Sequence, residues 1–344
     1  MKTLIVGGTG LISTAITRFM LERGDDVTLY NRGVTRLDTP SDARIITGNR
    51  KDFATFEQRM QEAGHFDCVI DMVCYEPNEA VSLIRAIEGR TGHLIFCSTV
   101  DVYTKPAARY PIREDEPRWP DPDFPYAYNK AICENLLLEA EARGAFPLTI
   151  IRPAYTYGEG RGLLHSFRGR TTVLDRVRKG LPIVVHGDGQ SLWASCHRDD
   201  VARAFVSAAS NPVARGGQYH VTGEEWMTWN RCFAGIAEAM GVPTPELVHI
   251  PTALLARALP EQAHWCLVNF QYDNIFDNAA AHADLGFRYT IPWVEGARRV
   301  IEWLDTHGGI EPYDADPLMD RIIAAWGRAS AGIVDDLADL REEV

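Results

Sequence analysis

Tyr126 and Lys130 stand four residues apart in this 344-residue chain, a spacing that puts both side chains on one face of a helix. A phenol with a free pKa of about 10 is a poor base at neutral pH, and an ammonium beside it favours the phenolate. The pair therefore reads as proton-transfer chemistry. About 25 residues earlier, Ser98 and Thr99 end an apolar run, where a hydroxyl could hold a substrate oxygen beside the phenol; strand-end capping is the plainer alternative. A third feature opens the chain. Gly7, Gly8 and Gly10 turn it between an apolar run and a helical pattern, with the spacing Gly7-x-x-Gly10-x-x-Ser13. Helix N–H groups aimed at such a turn can cradle a phosphate. The turn needs glycine for positive φ whatever it binds.

Regular elements must carry these residues. Leu4, Ile5 and Val6 read as a central parallel strand, and Ile12, Ala15, Ile16, Phe19 and Met20 recur at helical spacing behind the glycines. Further strands are expected at 27–33, 44–50, 66–75, 93–103 and 148–153, with a helix at 80–88 and a long one at 126–143. The six prolines between 105 and 125 mark an irregular loop. Strand, helix, strand in series predicts an α/β fold with a doubly wound parallel sheet. Past Pro153 the alternation loosens: helices are expected at 172–179 and 199–210, a last strand at 218–223, and mostly helix from 224. This divides the chain into a nucleotide-binding domain, 1–160 plus about 194–223, and a smaller, mainly helical substrate-binding lobe, about 161–193 and 224–344. The tail from Asp314 is amphipathic, suited to packing or dimerisation.

Composition narrows the function classes. The chain is 46% hydrophobic and 24% charged, as expected of a globular protein, and its net charge of −12 counts against general affinity for nucleic acid or anionic membrane. Seven scattered cysteines without a Cys-x-x-Cys pair argue for free thiols and against a metal site. No apolar run approaches about 18 residues, and the first strand follows Met1 directly, so a cytoplasmic protein without a membrane span is expected.

The ordered motifs GGTGLIS, the Asp71 strand end, CSTVDVY, PYAYNK followed by Glu134, IRPAYTYGEG and HRDDVARAF resemble the extended short-chain dehydrogenase/reductase family, which includes nucleotide-sugar epimerases and dehydratases. The resemblance implies a Rossmann-type fold and hydride transfer at a secondary alcohol or ketone. Tyr126 would be the general acid/base, Lys130 would lower its pKa and hold the nicotinamide ribose, and Thr99, four residues before Tyr103, would be the catalytic hydroxyl in preference to Ser98. Gly7, Gly10, Leu11, Ile12, Met72 and Val73 would line the cofactor, Asn49 and Arg50 would lie near its adenine, and Pro153 would flank the nicotinamide. A homodimer through the helix bearing Tyr126 is the expected assembly.

Enzymes of this design that use NAD place an acidic residue at the end of the second strand; here Asn31 and Arg32 stand there, with Arg36 as a second donor, so NADP(H) is expected over NAD(H). A solvated loop arginine is the alternative reading of Arg32. The substrate is a small molecule. Nucleotide-sugar members carry an arginine six residues before the Asp-Asp pair, where this chain has Trp193. Tyr75, Tyr155 and Trp193 would instead form an aromatic wall for a sugar-like or natural-product ring, with Arg161, Arg168 and Arg170 nearby as loop cations. Three readings follow: an NADP-linked reductase or epimerase, a true nucleotide-sugar epimerase or dehydratase, and a catalytically silent nucleotide-sensing or RNA-associated relative. The last is disfavoured because Tyr126 and Lys130 are both kept.

Overall fold

The computed structural model describes residues 1–34, 42–167 and 170–338. In chain order its elements are β1 (Lys2–Val6), α1 (Leu11–Glu22), β2 (Asp26–Asn31), β3 (Arg44–Thr47), α2 (Phe53–Ala63), β4 (Cys68–Asp71), α3 (Pro77–Ile87), β5 (Leu94–Cys97), α4 (Pro125–Ala142), β6 (Leu148–Pro153) and β7 (Tyr155–Tyr157). There follow α5 (Thr172–Arg178), β8 (Ile183–His186), β9 (Leu192–Trp193), β10 (Ser195–His197), α6 (Arg198–Ser210) and β11 (Gln218–Val221). The last are β12 (Met227–Thr228), α7 (Trp229–Met240), β13 (Leu247–Ile250), α8 (Thr252–Ala258), α9 (Ala279–Leu285), α10 (Trp293–Thr306) and α11 (Leu318–Asp336).

Two compact units emerge. The first comprises Met1–Arg161, Ala194–Trp226 and Asn274–Gly296; the second comprises Gly162–Trp193, Met227–Asp273 and Ala297–Val344. The segment 274–296, grouped by sequence with the C-terminal lobe, thus belongs to the first unit. Phe276 forms a bridge with Ile112, Tyr289 donates to Glu225 at 2.6 Å, and Trp293 packs edge-on against Tyr157. These are pairings between distant segments, which leave no local pattern.

The first unit is built on a seven-stranded sheet in the order β11-β6-β5-β4-β1-β2-β3. Every pairing in it is parallel, from Lys2 opposite Asp26 to Val221 opposite Pro153. Successive strand residues point to opposite faces, and both faces are apolar. Ile5, Ile70, Ile95 and Ile151 bury one face with Ile16 and Met20 of α1 and Phe205 of α6. Leu4, Val6, Val69, Phe96 and Ile150 bury the other with Phe56 of α2, Leu83 of α3 and Leu137 of α4. Burial on two sides is why these strands read as continuous apolar runs. The chain leaves β1 towards β2 and β3, then returns to β4 on β1's other side, so a crevice opens at the carboxyl ends of β1 and β4.

Helix α2 was not legible in the sequence, although Asp52 caps it by accepting the Thr55 N–H at 3.2 Å and Phe56 and Met60 form its buried stripe. Strand β5 stops at Cys97 rather than 103, because Thr99 starts a short 3-10 turn over Val100–Val102. In the second unit, β13 pairs in parallel with β8; β13 lies in the stretch from 224 expected to be mostly helical, and β8 just after the helix expected at 172–179.

Candidate active site

The glycine turn has a covalent logic. Gly7 has φ +85°, and a Cβ there would fall 2.3 Å from the Val73 side chain; only glycine lets β1 and the residue after β4 approach so closely. Gly10 caps α1, which starts at Leu11 and Ile12. Ser13, the third position of the spacing, closes the loop: its hydroxyl donates to the Gly7 carbonyl at 2.7 Å and accepts the Gly10 N–H at 2.8 Å. On the β4 side, Met72 donates its N–H to the Val6 carbonyl at 3.0 Å, and Asp71 Oδ1 accepts the Val73 N–H at 2.9 Å. Gly7, Gly10, Leu11, Ile12, Met72 and Val73 therefore surround one crevice, with the unpaired N-terminus of α1 at its floor.

At the end of β2, Asn31 Oδ1 accepts the Gly33 N–H at 2.8 Å, forming a turn that leaves Arg32 exposed between them. Arg36 and Arg168 lie outside the described residues. Asn49 Oδ1 accepts the Lys51 N–H at 3.1 Å. Arg50 is largely enclosed. It is 7% exposed, donates to the Glu79 carbonyl at 2.6 Å, lies 3.4 Å from Asp71 Oδ2 and stacks over the Phe56 ring at 4.1 Å. The guanidinium ties α2, β4 and α3 together through Nη2, while its Nε and Nη1 are buried without a hydrogen-bond partner among the described residues.

Tyr126 occupies the first turn of α4, which Pro125 opens. The Thr99 hydroxyl reaches its phenol and works to lower the phenol's pKa; Ser98 and Thr99 are both buried, at 4% and 6% exposure. Thr99 is itself fixed. It accepts the Asp101 N–H at 3.2 Å and donates to Asp101 Oδ2 at 3.3 Å. Burial, and then the nearby Asp101 carboxylate, push the Tyr126 pKa well above the ordinary value. Lys130, expected to lower it, donates from its ammonium to the Cys97 carbonyl at 2.7 Å and sits 4.8 Å from the Tyr75 ring and 4.7 Å from the Phe96 ring. The open carbonyl at the end of β5 captures it.

Sequence reasoning missed Lys105. Although it lies in the proline-rich loop, its ammonium is nearly buried, donates to Asn274 Oδ1 at 2.5 Å and lies 3.5 Å from Asp101 Oδ1. Burial lowers its pKa. The Asp101-x-x-x-Lys105 spacing was the available signal. Beneath Thr99 lies a second missed array. Arg152 donates to both Glu134 oxygens at 2.8 and 2.7 Å and to the Tyr103 hydroxyl at 2.6 Å. Tyr103 in turn meets His220 Nε2 at 2.6 Å, and Arg118 also binds Glu134. These buried, fully engaged groups lock α4, β6 and β11 in register behind the site.

Tyr75 is 45% exposed, with its ring 6.4 Å from that of Tyr126, and burial around its hydroxyl pushes its pKa up to about 12. Tyr155 stacks on Tyr157, and Pro153 ends β6 opposite Val221. Trp193 belongs to the second unit and is 6% exposed, packed 5.0 Å from Trp229 and 5.1 Å from Phe270. Its strand β9 pairs with β12, and its indole packs among these rings with the ring N–H buried and without a partner among the described residues. Among the described residues no cluster of His, Cys, Asp or Glu could hold a metal, and no helix is long and apolar enough to cross a membrane.

A parallel sheet in this order, with a glycine turn at its crevice and a hydroxyl–phenol pair beside it, defines a Rossmann-type α/β protein of the extended short-chain dehydrogenase/reductase class. The chain belongs to the NAD dependent epimerase/dehydratase family, whose model matches residues 3–222. It is 29% identical over 261 residues to chloroplast stem-loop binding protein of 41 kDa b from Arabidopsis thaliana, covering 72% of this chain and 65% of that one. It is 24% identical over 277 residues to 2'-dehydrokanamycin reductase from Streptomyces kanamyceticus, covering 80% of this chain and 77% of that one. Among solved structures, UDP-glucose 4-epimerase from Thermotoga maritima matches with a TM-score of 0.72 at 20% identity, over 89% of this chain and 99% of that one. Pal from Bacillus thuringiensis matches with 0.73 at 19%, over 89% and 100%. At these identities the structural likenesses speak for the fold.

Proposed function

We propose that the chain is an NADP(H)-linked oxidoreductase acting at a secondary alcohol or ketone of a sugar-like or natural-product molecule, with Tyr126 as general acid/base. The hydrogen bond between Tyr126 and Thr99 beside the Gly7–Val73 crevice carries this reading. Thr99 holds the reacting oxygen, and Tyr126 exchanges a proton with it. A phenol whose pKa is raised is protonated at neutral pH, so it donates its proton to an alkoxide in the reducing direction and takes it back in the reverse step, as a net reductase or an epimerase would use it. A bound nicotinamide nucleotide supplies or accepts the hydride. The α1 N-terminus and Gly7 to Ile12 hold its diphosphate, Lys130 holds its nicotinamide ribose, and Arg32 pairs a 2′-phosphate.

The nucleotide-sugar alternative draws support from the likeness to UDP-glucose 4-epimerases, but Trp193 stands where such enzymes carry a diphosphate-binding arginine. An RNA-associated role draws only on the name of one relative, against a net charge of −12. Mass spectrometry of the nucleotide released from purified protein tests the cofactor. A thermal-shift screen of ketones and sugars with NADPH present then tests the substrate class. Protection by a UDP-sugar and by no simple ketone would move the reading to the epimerases.

A further inference from the structure

Asp101 is a nearly buried carboxylate that the proton transfer described above leaves unused. In the short turn after β5 its side chain is 12% exposed, with the Lys105 ammonium 3.5 Å from Oδ1 and the Thr99 hydroxyl 3.3 Å from Oδ2. Lys105 is pinned from its other side. It donates to Asn274 Oδ1 at 2.5 Å, and backbone bonds of 2.9 and 2.8 Å tie the neighbouring Ile275 and Asp277 to Ile112. An ion pair so enclosed is costly to desolvate, and it stands one hydroxyl away from the Tyr126 phenol. Valence fixes the direction of the bonds between them. A threonine hydroxyl has one hydrogen and two lone pairs, and a carboxylate only accepts. The Thr99 hydrogen therefore faces Asp101 Oδ2, and one Thr99 lone pair takes the Asp101 N–H at 3.2 Å. The other is left for the phenol, which donates to it while neutral. The phenol oxygen then turns a lone pair to the substrate.

We propose that Asp101 is the terminal proton acceptor of the site, reached from Tyr126 through Thr99, with Lys105 as the positioning residue that keeps its carboxylate ionised. The inference rests on the assignment of Tyr126 as general acid/base and adds where its proton goes. In alcohol oxidation the substrate O–H bond breaks and its proton joins the Tyr126 oxygen. The phenol's own proton passes to Thr99 Oγ1, and the Thr99 proton to Asp101 Oδ2. The C–H electron pair leaves as hydride, reducing the nicotinamide nucleotide while the alcohol becomes a ketone. No free phenolate has to accumulate, which removes the obstacle set by a buried phenol that ionises only far above neutral pH. Asp101 gives the proton up to water through its narrow opening. Ketone reduction runs the same bonds backwards, from an Asp101 that solvent has protonated.

Asp101→Asn keeps the shape of the side chain and still accepts from Thr99, but takes up no proton. With NADP+ and the secondary alcohols cyclohexanol and myo-inositol, NADPH formation in this variant should fall by roughly 10²-fold, the lower end of what a positioned proton acceptor contributes. Its circular dichroism and its NADP+ affinity by calorimetry should match the wild type. Added formate should restore Asp101→Ala, and formamide, of the same shape, should not. A second measurement needs no substrate. In protein carrying isotope-labelled aspartate, the infrared carboxylate band missing from Asp101→Asn reports Asp101, which Lys105 and Tyr126 face as titratable groups. Thr99→Val and Lys105→Met each remove a donor from that carboxylate, so the band should be lost at higher pH than in the wild type. A band unmoved by Thr99→Val overturns the relay. Wild-type oxidation by Asp101→Asn beside an inactive Tyr126→Phe removes the relay alone, whereas wild-type oxidation by both variants removes the acid/base reading with it.

Discussion

The Ser13 hydroxyl donates to the Gly7 carbonyl at 2.7 Å and so ties the first turn of α1 back to the residue that ends β1. The same oxygen accepts the Gly10 N–H at 2.8 Å. A third glycine at this position would lose both bonds. Ser13→Ala and Ser13→Gly should each destabilise the chain by about 1–2 kcal/mol, as orphaned backbone groups do, and weaken nucleotide binding. Urea denaturation with and without NADPH measures both, and an unchanged Ser13→Gly would show the hydroxyl to be idle.

Tyr126→Phe keeps the ring packing against Tyr75 and Phe124, at 6.4 and 6.1 Å, and removes only the hydroxyl. Turnover should fall by about 10²- to 10⁴-fold, with the nucleotide affinity unchanged. Near wild-type turnover would refute the role given to the phenol.

Asp101 is the charge that most raises the Tyr126 pKa after burial itself, and Lys105 lies 3.5 Å from it. Asp101→Asn should therefore move the Tyr126 limb of the pH–rate profile to lower pH. Lys105→Met, which leaves the carboxylate without its ammonium, should move it higher. Shifts in the same direction for both variants would contradict the electrostatic account.

The site was legible in the sequence to the extent that its residues are local to one element end. Gly7 to Ser13, Thr99 and Tyr126 each terminate or open an element, so spacing exposed them. What escaped were groups recruited across the fold. Asn274 reaches Lys105 from 169 residues away, and Glu79 and Asp71 hold one nitrogen of Arg50. Nothing in the local pattern distinguishes an arginine that faces a ligand from one that a neighbouring carbonyl captures. Trp193 illustrates the same limit: its position in the chain suggested a wall, and only the folded chain shows its indole packed against Trp229 and Phe270.

His220 offers a pH test of the buried array. Burial, then the Arg152 charge, holds its pKa down to about 3, against an ordinary 6.5. Between those values the unfolded chain takes up a proton that the folded chain refuses. Stability is thus complete above pH 6.5 and is lost as the pH falls towards 3, by up to about 1.4 kcal/mol per pH unit for each such proton. His93, His165 and His186, all depressed to about 4, add to the slope. His220→Gln should lower stability at pH 7 yet flatten the acid limb by one proton, read from urea midpoints between pH 4 and 6. An unaltered slope would mean that His220 is already charged in the folded chain.

Nucleotide choice rests on the two residues after the Tyr30 strand position. Asn31 is occupied by the Gly33 N–H and offers no carboxylate to ribose hydroxyls, while Arg32 is exposed beside it. Removing a carboxylate relieves repulsion of a 2′-phosphate, and a guanidinium adds a charge-assisted pair worth roughly 1.5–3 kcal/mol. NADPH should therefore bind about 10- to 100-fold more tightly than NADH, the factor that such an energy difference sets. Arg32→Glu should erase or reverse the preference while leaving NADH affinity nearly intact, and raising the salt should narrow it in the wild type, because an exposed ion pair is screened. Fluorescence titration of both nucleotides decides the matter. Equal affinities in the wild type would make Arg32 a solvated loop arginine and leave the adenosine end of the crevice without a selector.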